Sequence, residues 1–348
     1  MLIGEKQMKF NINQLNFIIR KIFLKYGLNK LHAKICANLI IKAELSDAPS
    51  HGLARLKMYC ERLGKKLINP KPKIKIRKIS QSISHVDANN SIGFIAGDIG
   101  IKTAIKSAQK TGFGLVGIKN SSHYGLSSFY AEQAVKKKLM VWCFTNAPPA
   151  IAPYGSRKAL FGTNPICFGT PTGNKVPFIL DMSTSIINRG KIRRAAKLGL
   201  KIPRGVALDK FGRPTTDPKK AIEGVQLPIA EFKGSGLAWM VYIISGVLTG
   251  ANHGGKVKDP FDDFSGPQNI GHLFIVIKPS IFIGNNYLAQ IKKNIKIIKK
   301  LPKIKKGNQI LYPGEKKYLN FSKNLKKKYC NTKKYIRGHK EFKCLIKN

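Results

Sequence analysis

The sequence has few acidic side chains: its 348 residues contain 17 aspartates and glutamates against 63 lysines and arginines, a formal net charge of +46. Such an excess is typical of proteins that bind nucleic acid, where cations displace the counterions of phosphate. Only 11 of the 63 basic residues are arginines, however, although the guanidinium group is favoured for phosphate and base recognition. We therefore do not expect specific nucleic-acid binding, and polyanion binding by the basic C-terminus is kept as an alternative.

Cysteine and long apolar runs are also scarce. The six cysteines form no CxxC pair and the seven histidines show no zinc-ligand spacing, which argues against a disulfide scaffold and against a metal site. The longest apolar run, residues 237–251, is too short to span a bilayer and is interrupted by polar residues. No signal-peptide pattern precedes the first helical pattern. We expect a cytoplasmic protein without a membrane segment.

Hydrophobic periodicity indicates how the chain is organised. Helical spacing dominates as far as Gly64, and from residue 99 onward helical and strand-like runs alternate, which predicts an α/β fold. The segment that begins at residue 188 is rich in glycine, proline and lysine and resembles an insertion. An apolar helix from Leu237 and a strand from Leu273 then return to the main core.

A G-x-G-x-x-G match occurs at Gly112, Gly114 and Gly117. The dinucleotide fingerprint requires a strand before these glycines and a helix after them, so that the pyrophosphate meets a helix N-terminus. Here the predicted helix comes first and the predicted strand second. We interpret the glycines as a helix end and a tight turn.

A serine, a histidine and an arginine follow one another closely at Ser50, His51 and Arg55. The spacing predicts a helix capped by Ser50, with His51 in its first turn and Arg55 one turn later on the same face. That arrangement would direct positive charge and N–H donors at a small carboxylate. An ordinary capped helix with a surface arginine explains the spacing equally well.

Other polar residues lie next to predicted strands and helices. His123 follows the predicted strand 115–118, where a proton-transfer group would be exposed, and Asp181 ends an apolar strand. Lys233 and Gly234 precede the apolar helix, so that a lysine and free N–H groups could bind a phosphate. For each residue, a structural role in a loop or a cap remains the alternative.

Taken in order, these motifs resemble the malate/L-lactate dehydrogenase family of NAD(P)-dependent oxidoreductases, which is distinct from the Rossmann-type lactate and malate dehydrogenases and includes ureidoglycolate, sulfolactate and diketogulonate enzymes. The resemblance covers about residues 10 to 328. The matching segments are DAPSHGLAR (47–55), INP (68–70), NSSHYG (120–125), YG (154–155), GTNP (162–165), DMSTS (181–185), PTTDP (214–218), KG (233–234), GH (271–272) and PGE (313–315).

The resemblance implies hydride transfer between NAD or NADP and C2 of a small 2-hydroxy acid or 2-oxo acid, by a homodimer. His51 and His123 would be the catalytic acid/base candidates, and Ser50 and Arg55 would bind the substrate. No metal is implied. The implied cofactor-binding residues are Ala147, Thr163, Asn164, Asp181, Met182, Ser183, Lys233, Gly234, Pro313, Gly314 and Glu315.

The fold implied by the resemblance is α/β, with a non-Rossmann nucleotide-binding sheet domain, a helical domain and a small helical insertion. We expect residues 1–76 and 285–348 to form the helical domain, 77–187 and 233–284 the NAD(P)-binding domain, and 188–232 the insertion. The chain has Ile229, Ala230 and Glu231 where the family usually has glycines before the lysine. Reduction of a cyclic imino acid, or an eroded relative that binds polyanions, are the alternative functions.

Overall fold

The computed structural model describes residues 9–305, 307–326 and 329–331, which form a mixed α/β fold around one seven-stranded sheet. No helix of this part of the chain is long and apolar enough to cross a membrane. The helices are α1 (Ile12–Lys25), α2 (Lys30–Leu45), α3 (Leu56–Gly64), α4 (Gly93–Thr111), α5 (Ser128–Val135), α6 (Arg189–Leu198), α7 (Pro218–Glu223), α8 (Phe232–Tyr242), α9 (Ser280–Ile283), α10 (Asn286–Lys300) and α11 (Glu315–Lys326).

The large sheet has the strand order β2-β3-β4-β10-β5-β6-β7. Its strands β3 and β4 are parallel, and the other neighbouring strands are antiparallel. Two short two-stranded ladders, β1-β11 and β8-β9, lie outside it. The strands are β1 (Lys9–Asn11), β2 (Lys75–Lys78), β3 (Ile83–Asp87), β4 (Phe113–Ser121), β5 (Met140–Thr145), β6 (Ile166–Thr170), β7 (Phe178–Met182), β8 (Ala207–Leu208), β9 (Val225–Gln226), β10 (Ile270–Ile277) and β11 (Tyr329–Asn331).

The N-terminal helices form one core of their own. The apolar residues of α1 recur at helical spacing, and Asn11 and Gln14 form a capping box at its start. The buried faces of α1, α2 and α3 pack together and against the first turn of α4, and Phe321 of α11 packs against the same cluster. The side chain of Asn324 also donates to the carbonyl oxygen of Leu45 at 3.1 Å, and this hydrogen bond connects α11 to the end of α2.

The strand register brings several motifs to one edge of the large sheet. Ser121 at the end of β4 pairs with Ile270 at the start of β10, and Thr145 at the end of β5 pairs with His272. Ile166 at the start of β6 pairs with Met182 at the end of β7. Because neighbouring strands are mostly antiparallel, the ends of β4, β5 and β7 meet the starts of β6 and β10 at this edge.

The G-x-G-x-x-G match has the structure predicted from its order in the sequence. Helix α4 ends at Thr111, and Gly112 follows it in the left-handed conformation with φ of 84°, before β4 begins at Phe113. A Cβ atom at Gly114 would collide with the carbonyl oxygen of Ala104. These glycines therefore end a helix and allow close packing.

Candidate active site

The candidate catalytic histidines, His51 and His123, come from different parts of the chain and stack on each other. Their ring centroids are 5.6 Å apart and the ring planes differ by 27°. His123 lies two residues beyond β4 at the sheet edge described above, and His51 lies in the loop between α2 and α3. The structure thus brings together the two histidines that the resemblance singles out.

The predicted helix with a Ser50 cap is wrong. Residues Pro49–His51 and Leu53–Arg55 form two short 3-10 turns, interrupted at Gly52, and α3 begins at Leu56. A Cβ atom at Gly52 would collide with the carboxylate of Glu44, which accepts a hydrogen bond from the Leu53 N–H at 2.7 Å. The half-buried Glu44 carboxylate and the glycine beside it break the helix.

Although the predicted helix is absent, a side-chain hydrogen bond holds Arg55 beside Ser50. Its Nε donates to the carbonyl oxygen of Ser50 at 2.8 Å, and its guanidinium lies 4.7 Å from the ring centroid of Phe261. Within the described residues, its two Nη atoms have no hydrogen-bond partner. Arg55 is thereby held in place while its outer edge remains able to bind a carboxylate.

Both histidines are held in the neutral state. Burial is the largest cause that lowers the pKa of His51 to about 3; the positive charges of Arg55 and Lys317 contribute to this lowering, and the charge of Asp181 opposes it. Burial also lowers the pKa of His123 well below its usual value, with Arg55 and His51 as additional causes. Neutral imidazoles suit the removal of a hydroxyl proton.

Tyr59 is a site residue that the sequence analysis missed. It is buried in α3, and its hydroxyl lies 2.7 Å from Nδ1 and 3.2 Å from the carbonyl oxygen of His123. Its position four residues after Arg55 in a helical segment is a signal that could have indicated a shared face. Gln268 was also missed: its Oε1 accepts from the His123 N–H at 3.4 Å.

Asp181 is near enough to His51 to raise its pKa, and the carboxylate has partners within the protein. It accepts from the N–H of Ser128 at the start of α5 at 3.0 Å, and the Lys317 ammonium lies 3.4 Å away. Met182 and Ser183 follow at the strand end and are half-buried. Lys317, two residues after the PGE motif, was not identified from the sequence.

The PGE motif lies against the same strand. The N–H of Ile179 donates to the carbonyl oxygen of Pro313 at 3.0 Å, and Gly314 has φ of 98°. Glu315 pairs with Lys299 and accepts from the N–H of Tyr312 at 3.1 Å. Pro313 and Gly314 therefore pack against β7, the strand that carries Asp181, and Glu315 follows them.

The GTNP motif, residues 162–165, directly precedes β6 at the same edge of the large sheet. A Cβ atom at Gly162 would collide with the carbonyl oxygen of Ala147, and the carbonyl oxygen of Thr163 accepts from the N–H of Thr184 at 2.9 Å. Asn164 is fully buried; its Nδ2 donates to the carbonyl oxygen of Ala238 in α8, and its Oδ1 has no partner within the described residues. Asn164 thus links the sheet edge to α8.

The sequence predicted that Lys233 precedes a helix, but Lys233 lies inside the helix. Helix α8 starts at Phe232, five residues earlier than the apolar pattern suggested, and Lys233 is exposed in its first turn. Gly234 packs against the backbone of Ile229. The apolar pattern missed this turn because a lysine and two glycines, Gly234 and Gly236, interrupt it.

The residues before α8 adopt an unusual conformation. Ala230 and Glu231 have φ of 45° and 54°, a region that favours glycine. Glu231 is the N-cap residue but makes no side-chain hydrogen bond to the first turn of the helix. The Lys233 N–H already donates to the carbonyl oxygen of Ala230 at 3.2 Å. The Lys233 ammonium and the other first-turn N–H groups could therefore bind an anion, although the carboxylate of Glu231 is adjacent.

Among the described residues, no group of three or more histidine, cysteine, aspartate or glutamate side chains could bind a metal ion. The site is instead made of two neutral histidines, an arginine, and a nearby aspartate–lysine pair. Such a set can bind a carboxylate and exchange a proton with an adjacent oxygen.

Comparisons with known proteins identify the family of the chain. A family model described as malate/L-lactate dehydrogenase matches residues 10–329. A malate/(S)-sulfolactate dehydrogenase from Methanothermus fervidus is 36% identical over 325 residues, which cover 93% of this chain and 94% of that protein.

Solved structures give the same result. Sulfolactate dehydrogenase from Methanocaldococcus jannaschii superimposes with a TM-score of 0.84 at 37% identity, covering 91% of each chain. Delta1-piperideine-2-carboxylate reductase from Pseudomonas syringae superimposes with a TM-score of 0.84 at 26% identity, covering 92% of this chain and 95% of that chain.

Proposed function

The chain belongs to the malate/L-lactate dehydrogenase family and is an NAD(P)-dependent oxidoreductase of 2-hydroxy acids, and we propose that Arg55, His51 and His123 carry its substrate chemistry. The observation that supports this proposal most is that the stacked histidines, the anchored Arg55 and the Asp181–Lys317 pair lie together, since His51 stacks on His123 and responds to the charges of the other three residues.

Arg55 binds the substrate carboxylate in this proposal. Its Nε is already used by Ser50, so the two Nη atoms form the edge that faces the substrate. The pKa of Arg55 is lowered to about 10, mainly by burial, and the residue stays charged at neutral pH. A carboxylate held there presents the adjacent C2 oxygen to the histidines, which also respond to the charge of Arg55.

The cofactor is NAD or NADP, and it supplies hydride transfer at the nicotinamide ring when bound. We assign its phosphates to Lys233 and the first turn of α8, because an exposed ammonium group and the N–H groups of a turn that no side chain caps are the donors that phosphate requires. Ala147, Thr163, Asp181, Met182, Ser183 and the 313–315 segment would line the rest of this site. Asn164, Gly234 and Glu315 would support it through the contacts described above.

A substrate with a second acidic group fits the surroundings of Arg55. Arg193 of α6 stacks on the ring of Phe261 at 4.5 Å, and Arg55 stacks on the same ring at 4.7 Å. Asp259 and Asp262 partly neutralise Arg193. The names of the relatives, malate/(S)-sulfolactate and sulfolactate dehydrogenase, also refer to substrates with two acidic groups. We therefore propose malate or sulfolactate before lactate.

We also propose a homodimer. One face of α8 and the turn after it is apolar and exposed: Trp239 is 58% exposed and Leu248 is 65% exposed, with Met240, Ile243 and Val247 between them. A second copy would cover this face. Sedimentation of the wild type and of Leu248→Glu tests the proposal, which predicts a dimer that the substitution weakens.

We also propose the domain boundaries given above and a cytoplasmic location. The separate apolar cluster around Ile192 and Val206 supports the boundaries of the insertion, and the mostly antiparallel sheet supports a non-Rossmann cofactor domain. A cytoplasmic location is supported by reduced thiols at Cys143 and Cys167, which face each other in β5 and β6 without a bond.

The experiment is a matrix of substrates and cofactors. Malate, sulfolactate, lactate and ureidoglycolate are offered with NAD⁺ and NADP⁺, and piperideine-2-carboxylate is offered with NADH and NADPH. We expect oxidation of a diacid with at least one cofactor. Turnover of the cyclic imine alone would favour the imino acid alternative, and no turnover with salt-sensitive binding of heparin would favour the polyanion alternative.

A further inference from the structure

We infer that Tyr59 is a positioning residue that fixes the tautomer of His123, so that His123 rather than His51 exchanges the proton with the substrate oxygen. The inference rests on the proposed function and adds to it, since it names the histidine that acts and the group that prepares it.

The Tyr59 oxygen lies 2.7 Å from Nδ1 and 3.2 Å from the carbonyl oxygen of the same histidine, His123. A carbonyl oxygen can only accept, whereas Nδ1 can donate or accept. If the hydroxyl donated to Nδ1, the carbonyl oxygen would face a lone pair. If Nδ1–H donates to the hydroxyl and the hydroxyl donates to the carbonyl oxygen, both contacts are hydrogen bonds.

The second arrangement puts the ring proton of His123 on Nδ1. Within the described residues, Nε2 of His123 then has no hydrogen-bond partner, and it is not among the buried unpartnered atoms. Nε2 therefore carries a lone pair that is accessible from the site, as a general base requires. The main-chain N–H of His123 also donates a hydrogen bond to Oε1 of the buried Gln268.

The same hydrogen bonds serve the protonated ring. In oxidation, the substrate hydroxyl proton moves to Nε2 of His123 while the hydride leaves C2 for the cofactor, giving the 2-oxo acid and an imidazolium. The Nδ1–H of that imidazolium still donates to Tyr59, and Tyr59 still donates to the carbonyl oxygen. No hydroxyl has to rotate when the proton moves, and in reduction the proton returns from Nε2 to the substrate oxygen.

His51 lacks a comparable arrangement. Its Nδ1 lies 3.0 Å from the hydroxyl of Ser50, and within the described residues that hydroxyl has no second partner. The Ser50 hydroxyl can therefore donate or accept, and does not fix the tautomer of His51. Tyr59, in contrast, is fully buried and packs on Phe94 with ring centroids 5.0 Å apart, which holds its oxygen in place.

The test compares Tyr59→Phe with Tyr130→Phe. Tyr130 is equally buried, and its hydroxyl also donates to a carbonyl oxygen, that of Tyr124 at 2.6 Å, but it contacts no candidate histidine. We expect Tyr59→Phe to lower kcat about 10- to 100-fold, the effect of one charge-assisted hydrogen bond, with KM for the hydroxy acid changed less than twofold. Tyr130→Phe should lower the melting temperature but leave kcat unchanged.

A double-mutant cycle tests whether Tyr59 acts through His123. Tyr59→Phe should cause no further loss of kcat in a His123→Asn background, but its full loss in a His51→Asn background. Equal losses in both backgrounds, or a Tyr59→Phe kcat within twofold of the wild type, would overturn the inference. If the wild-type enzyme oxidises the hydroxy acids, the proposed function stands whether or not the inference about Tyr59 is overturned.

Nitrogen NMR of the histidine rings gives a readout that needs no turnover. In the protein without substrate we expect a protonated Nδ1 and an unprotonated Nε2 for His123, and a mixture of tautomers in Tyr59→Phe. The spectrum of Tyr130→Phe should match the wild type. An unprotonated Nδ1 at His123 in the wild type would contradict the inference.

Discussion

The ring of His51 stacks on the ring of His123 at 5.6 Å, and burial lowers the pKa of both imidazoles. Because kcat/KM reports the ionisation of the free enzyme, oxidation of the hydroxy acid should not lose its base between pH 8 and pH 5. An exposed histidine would lose it near pH 6.5. A pH profile of kcat/KM checks this, and a half-maximal value near pH 6.5 would contradict it.

Removing the histidines tests the same pair by substitution. We expect the acid/base residue to contribute about 10²-fold or more to kcat. His123→Asn should show this loss, and His51→Asn should show less if its main role is to hold the pocket. Two folded variants that both turn over at the wild-type rate would exclude the proposed chemistry.

Arg55 is predicted to be the carboxylate anchor. Arg55→Lys keeps the charge but loses the planar guanidinium, and Arg55→Met loses both, so kcat/KM should fall in the order arginine, lysine, methionine. The methionine variant should lose about 10- to 150-fold, equivalent to about 1.5 to 3 kcal/mol. Cofactor affinity should change little. If Arg55→Met still prefers the acid to its amide as strongly as wild type, another cation binds the carboxylate.

Cofactor binding should depend on Lys233 and not on the glycine match. Gly114→Ala is unsuitable as a control because its Cβ would collide with Ala104. Lys110 is an exposed lysine two residues before Gly112, and Lys110→Ala is therefore the matched control. Fluorescence titration with NADH and NADPH should show weaker binding for Lys233→Ala alone. A larger loss of cofactor affinity in Lys110→Ala than in Lys233→Ala would instead indicate that the cofactor binds near the G-x-G-x-x-G segment.

Glu44 should make stability depend on pH. Burial raises its pKa from 4.5 to about 7, against the opposing effect of the Leu53 N–H, so its stabilising contribution is present below pH 4.5 and lost as the pH rises through 7. Gln at this position keeps an acceptor for Leu53 and does not titrate. Relative to wild type, Glu44→Gln should gain about 2 kcal/mol of unfolding free energy between pH 5 and pH 8.

Glu61, which is more exposed and paired with Lys57 at 3.4 Å, provides the control for this measurement. Chemical unfolding of Glu61→Gln at both pH values should give the same difference from the wild type within about 0.5 kcal/mol, as expected of a surface pair. A Glu44→Gln variant whose advantage does not grow with pH would show that Glu44 is ionised at no cost in the folded state.

The sequence predicted those features that depend on local order. The helix before and the strand after Gly112 follow from hydrophobic periodicity, and they sufficed to reject the dinucleotide fingerprint. The motifs around His51, His123 and Arg55 were identified from a few letters, because functional residues occur in short segments with a fixed order.

Other features depend on contacts between distant residues and could not be predicted. The break at Gly52 is caused by Glu44, and the hydrogen bond of His123 comes from Tyr59. The early start of α8 depends on residues with positive φ, Ala230 and Glu231, which no propensity favours. Lys317 approaches Asp181 because the segment before α11 is bonded to β7, through the N–H of Ile179 and the carbonyl oxygen of Pro313.

The most direct test of the account follows the hydrogen atom on C2. The enzyme is incubated with a 2-hydroxy acid that carries deuterium at C2 and with the oxidised cofactor, and the reduced cofactor is analysed by NMR. If the account is correct, the deuterium appears at C4 of the nicotinamide, and Arg55→Met slows its appearance. Deuterium released to water, with none at C4, would contradict hydride transfer and with it the central claim.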